Sequence, residues 1–152
     1  MTDVPDQTDH RALAVAAFNA SWTLLEQDRT EAEDLELLEV AFASRHHWRQ
    51  VGGPQQAAIA DWMVSRCFAE LGEGRLAVRF AVAARDATPS DAPAWMRASV
   101  FEGLARAYAA DGQAAARDDA CRRAEAELAT ERDDEERALI AEQLRTVPEV
   151  AS

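Results

Sequence analysis

The chain has 152 residues, 48% of them hydrophobic, and a formal net charge of −12 at pH 7. That length suits one domain, residues 1–152, with a real core, and the apolar fraction excludes a disordered chain. The acidic balance argues against nucleic acid and anionic membranes as partners, because affinity for both is built from clustered basic residues.

Residues 1–9 are acidic, lack the apolar centre of a signal peptide, and read as a loose tail. The first helix is predicted from His10 to Gln27, with Thr8 or Asp9 as its cap. Leu13, Ala17, Phe18, Trp22 and Leu25 recur there at helical steps. Thr30 to Glu33 has the Thr-x-x-Glu form of a capping box and opens a second helix, which Gly52, Gly53 and Pro54 end. A third helix is predicted from Pro54 to Leu71, with proline acceptable at its start. Gly72 to Gly74 turn the chain into a fourth, from Arg75 to Ala87. A fifth is predicted from Ala92 to Ala110, with Asp91 as its cap. Asp111-Gly112 turns into a sixth, which reaches Ala129, and a seventh covers Asp133 to Arg145. No stretch alternates with a period of two. Seven helices joined by short turns predict an all-α fold of antiparallel helix pairs.

No hydrophobic run is long enough to span a membrane. Cys67 and Cys121 have no metal-type spacing and read as reduced core thiols of a cytoplasmic protein.

An internal repeat is visible. Arg66, Phe68, Ala69 and Gly72 recur as Arg106, Tyr108, Ala109 and Gly112, at a constant offset of 40. Small residues follow in each second helix, at Ala77 and Ala81 and then at Ala116 and Ala120, and Pro89 closes the first unit. From Ile59 to Leu128 this pattern resembles the tetratricopeptide (TPR) repeat. The resemblance implies a short right-handed array of helix pairs, with the first two helices as a divergent third unit. The strings Ala43 to Trp48, Val51-Gly52, Phe18-Asn19 with Trp22, Arg29-Thr30, Ser65-Arg66 and Glu102 to Tyr108 are similar to a group of short bacterial helical-repeat proteins. That likeness implies fold and no particular activity. Members of the group carry further histidines on the second helix, where this chain has Glu39 and Phe42.

In TPR-like folds the first helix of each unit lines a concave face. The resemblance therefore places Ile59, Trp62, Arg66 and Ala69 there, followed by Ser99, Glu102, Arg106 and Ala109. Arg66 and Arg106 would together hold a carboxylate or phosphate by forked hydrogen bonds. Trp62 would be a flat apolar wall, Glu102 would take a ligand amine or orient Arg106, and Arg45 or His47 would reach the rim. The competing reading is structural: Glu102 with Arg106, and Arg66 with Glu70, are ordinary i,i+4 surface pairs.

His46 and His47 point about 100° apart on one helix, and the i,i+4 spacing of a helical zinc pair is absent. With His10 near a chain end, no metal site and no cofactor are predicted. His47 is expected to face the packed side beside Ser44 and Val51. No nucleophile elbow, phosphate loop or dinucleotide fingerprint occurs. The favoured reading is thus a non-enzymatic module that binds a peptide, protein or small anionic molecule. The alternative is a small enzyme acting on an anionic metabolite, with His47 or Glu102 as acid or base. The exposed ends of so short an array are expected to be covered by a homodimer or by the seventh helix.

Overall fold

The computed structural model describes residues 8–151. They form seven α-helices: α1 (His10–Leu25), α2 (Glu31–Val51), α3 (Pro54–Glu70), α4 (Gly74–Ala87), α5 (Ala94–Ala110), α6 (Ala114–Leu128) and α7 (Asp134–Arg145). There is no strand among the described residues, so the fold is all-α. Most of the expected tail lies outside the described residues. Its last member, Asp9, caps α1 by accepting from the Ala12 amide.

Local chemistry sets the helix ends. The capping box on α2 is complete: the Thr30 hydroxyl accepts from the Glu33 amide, and the Glu33 carboxylate accepts from the Thr30 amide. Pro54 opens α3, and the Gln56 side chain reaches back to the Gly53 amide. Gly72 and Gly112 have φ values of +77° and +71°, a region that glycine enters without steric cost, and they terminate α3 and α5. α5 begins at Ala94 and not at Ala92. Pro93 disfavours helical geometry in the residue before it, and Ala92 instead closes a turn onto the Pro89 carbonyl.

Consecutive helices pack as hairpins, α1 with α2, α3 with α4 and α5 with α6. The odd-numbered helices α1, α3, α5 and α7 also touch one another in series. Two hairpins are stapled by the same device. Ser44 of α2 donates to the Ala14 carbonyl of α1 at 2.9 Å, and Ser65 of α3 donates to the Ala77 carbonyl of α4 at 2.8 Å. All four residues are essentially buried. Alanine and serine at these seams let two backbones approach closely, and each hydroxyl finds a helix carbonyl, so no polar atom is stranded.

The main core joins Leu24, Leu37, Met63, Val64, Cys67, Phe68 and Leu104 to the buried alanines of α4. Phe42, Phe68 and Phe80 form an aromatic cluster with ring centroids 5.7–6.0 Å apart, linking α2, α3 and α4. α7 closes the array on the far side. It buries Ile140, and Val147 is buried just beyond its end. Its start is capped by Asp133, which accepts from the Glu135 and Glu136 amides.

Candidate functional site

On α1, Val15, Phe18 and Trp22 are spaced by three and four residues and share one face. Ile59 and Trp62 do the same on α3, and Trp95, Met96 and Ser99 on α5. These faces meet Leu139, Ile140 and Gln143 of α7 around a single cavity of about 380 Å³, which Trp48 joins from the end of α2. The chain contains four tryptophans, and all four line this cavity. Among the described residues, its only ionisable lining residue is Glu136.

Trp62 is the fixed element of the wall. Its indole Nε1 donates to the Ser99 carbonyl at 2.9 Å, and its ring lies 5.7 Å from that of Trp22, tilted by 49°. The ring rests on Gly103, where a Cβ would stand 2.6 Å from Trp62 Cδ1. Glycine at that point lets the Nε1 edge of the indole come close to the backbone of α5.

One turn further along α3 and α5 the chemistry changes from apolar to ionic. Glu102 is fully buried. Its Oε1 accepts from Arg106 Nε at 2.9 Å and Nη2 at 2.7 Å, and lies 3.5 Å from Arg66 Nη1. Arg106 Nη2 also donates to the Gln143 carbonyl and to the Thr146 hydroxyl of α7. Arg66 lies over the face of Trp22, with Cζ 5.1 Å from the ring centroid. Burial lowers the Arg66 pKa from its ordinary range, and the Glu102 charge opposes that shift. Among the described residues, Glu102 Oε2 is the only buried side-chain polar atom without a hydrogen-bond partner.

Arg66 and Arg106 do converge, as the repeat alignment expects, but they converge on Glu102. The place expected for a ligand anion between them is occupied by this carboxylate. Arg106 is committed to the fold, because its donors reach Glu102 and α7. The pairing expected between Arg66 and Glu70 is absent as well: Glu70 lies 3.5 Å from Arg29 instead. Ser99 and Trp62 line the cavity. Arg45 does not, since its Nε donates to Asp61 at 2.6 Å and its guanidinium lies over Phe80.

His47 and Glu102 are not brought together. His47 Nδ1 faces His10 Nδ1 at 2.9 Å, and the His46 ring is 5.2 Å from the His47 ring. Desolvation, with the neighbouring His10 and His46, lowers the His47 pKa. All three histidines thus gather where α1 starts and α2 ends, a convergence of residues 37 positions apart that helical spacing does not reveal. Among the described residues, no three His, Cys, Asp or Glu side chains form a metal-ligating group. Cys67 is buried, which pushes its thiol up to about 12, and burial raises Cys121 too.

No family model, curated protein or solved structure matches the chain. The sequence nonetheless carries a signal for the cavity beyond Trp62. The 40-residue offset also relates Trp22 to Trp62, Ile59 to Ser99 and Leu139, and Arg66 to Arg106 and Thr146.

Proposed function

We propose that this chain is a non-enzymatic, TPR-like binding module whose tryptophan-lined cavity takes an apolar, ring-sized ligand. One observation carries the reading: every tryptophan of the chain lines one cavity of about 380 Å³. Small-molecule pockets start at roughly 300 Å³ and are walled mostly by apolar and aromatic side chains with few polar groups.

A second form of the same reading has its own support. Val15 and Leu139, both lining residues, are 43% and 56% exposed and give the cavity an apolar lip. An apolar side chain of a bound peptide, or of a second copy of this chain, would enter there. The enzyme reading lacks comparable support, since its two proposed acid–base groups, His47 and Glu102, have different partners and neither lines the cavity. No helix among the described residues is long and apolar enough to cross a membrane. The two free thiols suit a reducing compartment, and the cytoplasm is the proposed location.

The test uses N-phenyl-1-naphthylamine, an uncharged fluorescent probe that accepts excitation energy from indoles. The native chain should bind it saturably, with quenching of tryptophan emission and sensitised probe emission. Ser99→Trp, which narrows the cavity, should weaken both. Absence of saturable binding to the native chain, or undiminished binding to Ser99→Trp, removes the proposal.

A further inference from the structure

We propose that the cavity selects an amphipathic monoanion, its apolar ring held among the tryptophans and its carboxylate-type head docked on Arg66. The inference rests on the reading of the cavity as a ligand site and specifies the chemistry of the ligand.

Helical geometry supplies the first support. Ile59, Trp62 and Arg66 follow one another at steps of three and four on α3, so Arg66 stands on the same side of α3 as the lining residues Ile59 and Trp62, about 6 Å beyond Trp62 along the axis and just past the cavity lining. It is stacked on Trp22, which itself lines the cavity. Gln143 lines the cavity, while its carbonyl accepts from Arg106. The ionic cluster is therefore the next layer beneath the apolar chamber.

Hydrogen-bonding capacity supplies the second. A guanidinium carries five N–H donors. Arg106 uses its donors on Glu102, the Gln143 carbonyl and the Thr146 hydroxyl. Arg66 has a single hydrogen bond, to Glu102 Oε1 at 3.5 Å, although its side chain is only 17% exposed. None of its nitrogens is among the buried atoms that lack a partner, so its unused donors touch solvent. An arginine held on a tryptophan face, mostly desolvated, with most of its fork free and open, is organised to receive a planar anion.

Charge supplies the third. Two guanidinium groups surround one carboxylate, leaving a single positive charge in excess. Of the further acids, Glu70 is 47% exposed and shared with Arg29, and Glu136 lines the cavity but has no ion pair with the cluster. One carboxylate would neutralise the cluster, whereas a dianion would overshoot it. The ligand therefore carries one negative charge in an otherwise acidic protein.

The experiment compares three probes with the same ring: 2-naphthylacetate, 2-naphthylacetamide and 2-naphthylethylammonium, titrated into the native chain and followed by tryptophan quenching. At low salt the carboxylate should bind at least about tenfold more tightly than the amide, the size of effect a charge-assisted hydrogen bond produces. The ammonium probe should bind weakest. In Arg66→Met the carboxylate-to-amide ratio should fall close to one, and Arg66→Lys should retain part of it. Equal binding of carboxylate and amide to the native chain overturns the head-group assignment while leaving the apolar pocket standing. The same conclusion follows if Arg66→Met keeps the native ratio. Failure of all three probes to bind removes the pocket reading and this inference together. The native-chain comparison decides the matter even where a variant does not fold.

Discussion

Replacing Arg106 by Ala tests whether this arginine belongs to the fold or to a ligand. Glu102 has no exposed surface, and its Oε1 would lose donors at 2.9 and 2.7 Å, keeping only the 3.5 Å approach of Arg66. The Gln143 carbonyl and the Thr146 hydroxyl would each lose a donor too. Breaking a buried ion pair from one side costs about 3–5 kcal/mol, because the surviving charge stays desolvated. For a chain near this length each kcal/mol shifts the melting temperature by roughly 2–4 °C, so the expected loss is roughly 6–20 °C. Arg137→Ala is the control. Its partner Asp134 is 92% exposed, and such pairs contribute little. Urea unfolding followed by circular dichroism measures both variants. Adding Glu102→Gln to Arg106→Ala should recover part of the loss, since the penalty comes mainly from the stranded carboxylate. Equal stabilities for Arg106→Ala and Arg137→Ala would refute the structural role and return Arg106 to the ligand site.

Two further outcomes are expected. Gly103→Ala places a Cβ 2.6 Å from Trp62 Cδ1 and must displace the indole, so it should cost about 1–3 kcal/mol and shift the tryptophan emission to longer wavelength; native stability and emission would show that the ring has room to yield. The His47 pKa is lowered in the folded chain, so below the ordinary histidine value, about 6.5, the unfolded chain binds more protons than the folded one. The His47 contribution is therefore complete above that pH and is lost as pH falls through the folded value; the urea midpoint should drop between pH 7.5 and 5.5, and His47→Gln should flatten the drop, an unchanged slope contradicting the assignment.

The helices were legible because their determinants are local. The Thr30–Glu33 box, Pro54, Gly72 and Gly112 each fix an end within four residues of themselves. The site was legible only in part. Trp62 and Ser99 follow from the faces of α3 and α5, but Trp48 sits on the second helix of its hairpin, away from the face that the repeat marks. The fate of the arginines depended on α7, whose Gln143 and Thr146 lie 37 and 40 positions from Arg106. Spacing on one helix shows that Glu102 and Arg106 are neighbours. It does not show whether water or another helix covers them, and that difference converts a surface pair into a buried one.

The attachment of α7 has a consequence for how this molecule can change over time. Arg106 grips the carbonyl of Gln143, and Arg117 of α6 grips those of Val147 and Pro148. Apart from the Thr146 hydroxyl, these clasps read main chain, which every amino acid supplies, and side-chain identity is demanded at few further places, chiefly Ile140 and Val147. Glu136, Leu139 and the Gln143 side chain are thus left free to drift while the helix stays fastened. One wall of the chamber can be rewritten residue by residue without first rebuilding the scaffold that carries it.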